Sequence, residues 1–269
     1  MTKIFPAYPS LGRAAIIATG LMILSAQPLV QAQVLAPEVA AAEASPATSQ
    51  WGLGIGAMYD RKAYRDFDNK VQGLPLLMYE NRYISFFGTT LDAKLPAAGP
   101  ISFRLRAKYS GAGYEAKDSP FLSGMAERKG GVWLGGAAIW HGSIVNASAE
   151  ALSATGDAEG KSFKFELDRS FQSGALTVTP RISATWYDSK YVDYYYGVRA
   201  NEVRAGRAGY TGDSTANAEV GLRFGYAIRA RHNVFVDVSA TKLGSAIKDS
   251  SLVEKSNESS VKFGYLYAF

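Results

Sequence analysis

The sequence contains no cysteine and only two histidines in 269 residues. That removes a disulfide framework, thiolate chemistry and every cysteine-based metal site, and the two histidines do not have the spacing of a zinc pair. No cofactor or metal is expected. Charge of one sign is also scarce. The net value of +5 is too small to argue for a nucleic-acid surface. No apolar stretch is long enough to cross about 30 Å of hydrocarbon as a helix. Proline is sparse at 10 residues, whereas there are 27 glycines, 16 tyrosines and 13 phenylalanines. Aromatics and glycines together suit strands and turns better than helices.

The N-terminus carries an export signature. Lys3 and Arg13 supply positive charge, and Ala14 to Leu24 is an apolar run of about eleven residues, within the signal-peptide range. Val30-Gln31-Ala32 is a small-residue cleavage site, so residues 1–32 are expected to be removed after Ala32. Residues 33–50 are rich in Ala, Pro, Glu and Ser, without aromatics or period. They are expected to form a flexible periplasmic lead-in.

From Trp51 onward the dominant period is two. Ile101, Phe103, Leu105, Ala107 and Tyr109 alternate with Ser102, Arg104, Arg106, Lys108 and Ser110. Successive strand side chains point to opposite faces, so one face is apolar and the other polar. The pattern recurs at 176–186, 218–229 and 261–269. Runs of this length exceed an ordinary strand and match the nine to eleven residues of a tilted membrane strand. Because lipid forbids unpaired edges, such strands must close. The expected fold is therefore all-β, a transmembrane antiparallel up-and-down β-barrel occupying 51–269.

About twelve strands are expected, at 51–60, 72–80, 83–88, 90–95, 101–112, 129–140, 143–154, 162–171, 175–188, 216–229, 233–242 and 259–269. Ten remain compatible with the pattern. Twelve put both termini in the periplasm and the longer connections, after strands one, five, seven, nine and eleven, on the outer face. The short connections, including those at His141-Gly142 and Ala230–His232, become periplasmic turns.

The last strand has Lys262, Gly264, Tyr267 and the terminal Phe269, which resembles the C-terminal signal read by the outer-membrane barrel assembly machinery. Three further segments carry a family likeness. They are Gly73, Pro75, Tyr79, Arg82 and Tyr83; then Tyr196-Gly197-Val198 followed by Glu202, Gly209 and Tyr210; then Leu243 to Val253. In order and spacing they resemble the MipA/OmpV family of MltA-interacting proteins, over 51–269. Ser251 stands where the family usually has proline. The resemblance implies a protein of the Gram-negative outer membrane in contact with its lipid. It implies a scaffold that brings a lytic transglycosylase and a murein synthase together in cell-wall growth. Family members are also discussed as adhesins and small-solute pores.

The polar face raises a second function. Arg104, Arg106, Lys108, Arg181, Arg223 and Arg229 are expected to face the lumen with Lys164, Glu166, Glu219, Asp237 and Lys262. They form either a rigid ion-pair lattice, which the narrowness of a small barrel favours, or the lining of a narrow, weakly anion-preferring pore. Gly52, Gly54 and Gly56 are expected to leave space inside the first strand for water or the lead-in. Tyr187, Tyr191, Tyr194, Tyr195 and Tyr196 flank the long loop 189–215 and read as an interfacial girdle, or as a glycan- or partner-binding patch. His141 and His232 read as polar turn residues, and no nucleophile–base constellation is evident, so an enzyme is not expected.

Overall fold

A computed structural model of the chain describes residues 49–269. The expected signal peptide and nearly all of the lead-in lie outside the described residues.

The strands are β1 (Gln50–Arg61), β2 (Val71–Glu80), β3 (Ile84–Phe87), β4 (Thr90–Ala98), β5 (Ile101–Ser110), β6 (Gly131–His141), β7 (Asn146–Ala154), β8 (Lys161–Asp168), β9 (Phe171–Ser173), β10 (Leu176–Tyr187), β11 (Thr215–Arg229), β12 (His232–Lys242) and β13 (Asn257–Ala268). Each pairs antiparallel with its sequence neighbour, except that β8 and β9 both pair with β10. They are two pieces of one membrane strand, interrupted at Arg169 and Ser170. The sheet thus has twelve crossings, and the pairing of β1 with β13 over Gly52–Arg61 closes it without an edge. The barrel and its twelve crossings are as the alternating pattern implies.

The alternation decides which face meets lipid. Leu105 is 58% exposed, whereas its neighbours Arg104 and Arg106 are 5% and 4% exposed. Apolar side chains face outward because lipid solvates them, and polar ones turn inward where they find partners. Tyr59, Tyr109 and Trp186 are exposed at one end of the wall, and Trp51, Tyr83, Trp140 and Phe269 at the other. These are the aromatic girdles. Connections are short at the end where β1 begins and β13 finishes and long at the opposite end, over 62–70, 111–130, 155–160, 188–214 and 243–256. That asymmetry puts the start of β1 and the end of β13 on the periplasmic side.

Several bounds shift. β6 begins at Gly131, not 129, because Tyr114 and Arg128 form a separate bridge within the 111–130 loop. β7 begins at Asn146, not 143, because Gly142 to Val145 make a four-residue turn. The predicted strand 162–171 runs on to Ser173 past its break. Among the described residues two α-helices interrupt the outer loops, α1 (Ser189–Tyr196), capped by the Asp188 side chain, and α2 (Ser245–Lys248), along with three single-turn 3-10 helices.

Candidate functional site

The lumen is the first place a barrel's function is sought, and here its charges engage one another. On one wall Asp92 of β4 receives Arg104 at 3.0 Å and Arg106 at 2.7 Å. Arg106 also reaches Glu150 of β7 at 2.5 Å, and Lys108 approaches the same carboxylate at 3.6 Å. β6 lies between, with Gly135 opposite Arg106 in register. The opposite wall repeats the device. Arg181 of β10 passes over Gly221 of β11 to Asp237 of β12, with two hydrogen bonds of 2.8 and 2.9 Å. Arg223 adds a third at 3.0 Å, and Lys262 faces Asp237 in register. Lys164 pairs with Glu166 at 2.7 Å. Asp92, Arg104, Arg106, Glu150, Arg223 and Asp237 are all buried, as paired charges in a low-dielectric interior must be.

Arg229 departs from the expectation. A register shift between Ala227 and Arg229 carries it out of the inward row, and it sits exposed at the periplasmic end of β11. The glycines of β1 are a second correction. The space beside Gly52 and Gly56 is already filled by Leu76, Met78 and Leu266. With Phe235 these residues form a buried apolar cluster inside the barrel, and Gly264 lets the Phe235 ring lie flat against β13. No room is left there for the lead-in.

The outer mouth carries a second core. All five long loops contribute to one buried cluster, including Tyr64, Leu122, Ala158, Tyr195 and Ile247. Their roots are spread around the rim, so loops that meet in one core must close over the mouth. Fully burying a Leu or Ile contributes about 1.5–3 kcal/mol, so this cap is a stable body and not a set of loose connections. The tyrosines 187–196 belong to it. Tyr187 stacks on Tyr191 at 4.0 Å, Tyr196 stacks on Tyr64 at 5.3 Å, and Tyr195 and Tyr196 are buried. They are neither a lipid girdle nor an open patch. Burial pushes the hydroxyls of Tyr64, Tyr191 and Tyr196 well above the usual phenol range, and that of Tyr114 up to about 12.

The Tyr196-Gly197-Val198 segment is a staple of the cap. Gly197 ends α1 where a Cβ would lie 2.2 Å from the Asp193 carbonyl, and Val198 bridges to Tyr210. Ser250 donates to the Tyr196 carbonyl at 2.6 Å, and Ser251 to that of Ala208 at 2.9 Å. Polar staples complete it. Arg128 pairs with Glu202 at 2.9 Å, and Arg207, the largest fully buried side chain, donates to the carbonyls of Glu202, Phe121 and Ser123. Nothing in the local sequence distinguished these arginines from surface ones.

The periplasmic rim differs from both cores. Among the described residues its exposed charged side chains are Arg82, Arg229 and Arg231, with Arg169 half-buried beside them. The carboxylates at that level, Glu80 and Asp168, turn inward to Lys94 and Asn146. His141 is bonded to Ser102 at 3.2 Å and His232 to the Tyr265 hydroxyl at 2.7 Å, both at this end. On the closing strand, Phe269 donates its amide to the Trp51 carbonyl at 2.8 Å and packs edge-on against Tyr267.

Comparison with known proteins matches residues 53–269 to the family described as MltA-interacting protein MipA. YiaT of Escherichia coli K12, named as an outer membrane protein, is 26% identical over 221 residues, covering 80% of this chain and 89% of that protein. A protein of the same strain named MltA-interacting protein is 25% identical over 230 residues, covering 83% and 92%. Among solved structures, an outer membrane channel from Pseudomonas putida F1 superposes with a TM-score of 0.41 at 10% identity, covering 84% of this chain and 97% of that one.

Proposed function

Because the chain belongs to the MltA-interacting protein family and is a β-barrel of the Gram-negative outer membrane, we propose that it is a scaffold that holds a cell-wall enzyme, a lytic transglycosylase, at the periplasmic face of the membrane. A murein synthase is the second partner in this reading, and no step of it requires catalysis by the barrel itself.

The observation that carries it is the state of the lumen. A solute path needs side chains that water can reach. Here Arg104, Arg106 and Arg223 are buried against Asp92, Glu150 and Asp237, an apolar cluster fills the lumen between β2 and β12, and a packed cap spans the mouth. What the protein offers to other molecules is its surfaces. Among the described residues, the periplasmic rim carries exposed arginines without an exposed carboxylate side chain, which favours an acidic partner surface. Short turns alone fall below the roughly 800 Å² per partner of a stable interface. In this reading the lead-in, 33–50, adds area by ordering on binding.

Co-purification of a lytic transglycosylase with the detergent-extracted barrel tests the scaffold. Full-length protein is compared with a form lacking 34–49 and with a form in which Arg82, Arg169, Arg229 and Arg231 are glutamine. Capture by the full-length chain and loss in either form supports the reading. If no form captures the enzyme and the protein gives steady anion-selective current in planar bilayers, it is the narrow pore instead.

A further inference from the structure

Along the outward strand faces of the described barrel, above the inner rim, the charged side chains are Arg61, Lys161 and Lys242. All three are cationic, exposed and at the outer ends of their strands. An apolar wall ending in cations alone is matched to a layer of negative headgroups. Two of the three are brought together by closure of the barrel. β13 lies between β12 and β1, with Ser259 opposite both Ala240 and Arg61, and Lys242 opposite Asn257. At about 4.8 Å between strands, the backbones of Arg61 and Lys242 stand roughly 12 Å apart. Two long side chains span that gap and converge on one anion. Among the described residues neither side chain has a hydrogen-bond or ion-pair partner.

Between them the wall is concave. A groove of about 430 Å³ runs over Ala218, Ala240 and Ser259, beside Val220 and under Arg61 and Lys242. Small outward side chains on three adjacent strands make the hollow, and the bulkier Val220 and Val261 stand below it as exposed apolar surface. The site therefore combines an apolar trough at acyl-chain depth with a cationic pair at headgroup depth. It lies at the end of the barrel with the long loops, the outer leaflet.

We propose that this groove binds one phosphorylated glycolipid of the outer leaflet, its phosphate held between Arg61 and Lys242 and one acyl chain lying over Ala218, Ala240 and Ser259. The Arg61 guanidinium supplies paired N–H donors to the phosphate oxygens and Lys242 a compact charge. The site lies on the outside of the wall and does not depend on the scaffold reading.

The experiment uses the purified full-length barrel in mixed micelles, titrated with bis-phosphorylated lipid A and followed by native mass spectrometry. One molecule should remain bound. At about one cation's worth of membrane attraction per residue, Arg61→Gln and Lys242→Gln should each weaken retention roughly fivefold and the double variant about thirtyfold. Dephosphorylated lipid A should bind the unaltered protein as weakly as lipid A binds the double variant, a comparison that needs no mutant to fold. Ala240→Leu should weaken both lipids by filling the trough. Equal retention of phosphorylated and dephosphorylated lipid A overturns the proposal, as does equal retention of phosphatidylglycerol, which would make the site a general anionic-lipid contact.

Discussion

Arg181 and Asp237 are two strands apart, yet their side chains close a two-pronged ion pair of 2.8 and 2.9 Å because Gly221, on the strand between, has no side chain to obstruct it. A Cβ at Gly221 would lie 2.4 Å from the centre of the Arg181 guanidinium. Arg106 of β5 likewise reaches Glu150 of β7 across the intervening β6. In both places a side-chain ion pair couples the two strands that flank a third, a link that backbone ladders do not provide.

Asp237→Asn should therefore be costly. It removes the carboxylate on which Arg181 and Arg223 converge, leaving Arg181 only Glu219 at 3.6 Å, and removing one partner of a buried pair destabilises by about 3–5 kcal/mol. Gly221→Val should act in the same direction by displacing Arg181. Arg229→Gln, at the exposed strand end, should change stability by less than about 0.5 kcal/mol. Urea titration read by heat-modifiable gel mobility checks all three. A shift for Arg229→Gln as large as that for Asp237→Asn would mean that Arg229 belongs to the lattice after all.

Strand register is tested on β5. Leu105 meets lipid, and a lysine near the bilayer midplane costs about 2–4 kcal/mol. Arg106→Gln leaves Asp92 and Glu150 short of a cation and should cost about as much as other broken buried pairs, roughly 3–5 kcal/mol. Both variants should lower the urea midpoint, whereas Leu105→Phe should not. An unchanged midpoint for Leu105→Lys would place that residue away from lipid.

The outer cap should loosen in acid. Burial by itself would raise the Glu202 carboxyl, but the Arg128 guanidinium and the amides of Arg199 and Ala126 outweigh it and hold its pKa below the ordinary 4.5. A depressed carboxylate stabilises the folded state above its unfolded pKa, and that contribution fades as pH falls through the lower folded value. Proteolysis within 111–130 and 188–214 should stay slow at neutral pH and accelerate below about pH 4.5. Glu202→Gln should cleave at neutral pH as the unaltered protein does in acid. A pH-independent rate in the unaltered cap would show that the Arg128–Glu202 pair does not hold it.

Deletion of Phe269 should leave export intact and sharply reduce the folded barrel in the outer membrane. The residue is the terminal aromatic of the assembly signal expected from the last strand, and it supplies one hydrogen bond of the closing seam, to the Trp51 carbonyl. Phe269→Tyr, which keeps the ring and the amide, should restore insertion. Equal amounts of folded protein with and without Phe269, judged by gel mobility of the membrane fraction, would exclude both roles.

The barrel was legible from residues alone because lipid imposes a one-dimensional rule. A strand that separates hydrocarbon from a polar lumen must alternate with period two, as Ile101 to Ser110 does, and it must be long enough to cross. Turn lengths then set the orientation, and the motifs at Tyr79, Tyr196 and Leu243 pointed to the family. Arg229 defeated the period because one irregular residue in a strand reverses every side chain beyond it.

Tertiary structure decided what the polar residues do. Whether Arg106 lines a pore or closes an ion pair depends on Asp92 and Glu150 from two other strands. The same holds for the tyrosines from 187 to 196, whose aromatic character suits a lipid interface as well as a core. Only the meeting of five loops from around the rim buried them. Alternation along a strand is a property of the chain's own geometry, so the sequence by itself determined the barrel and its lipid face. Partners brought together across 44 or 56 residues of separation, as for Arg106 with Glu150 and Arg181 with Asp237, follow from register and closure, which no local pattern encodes.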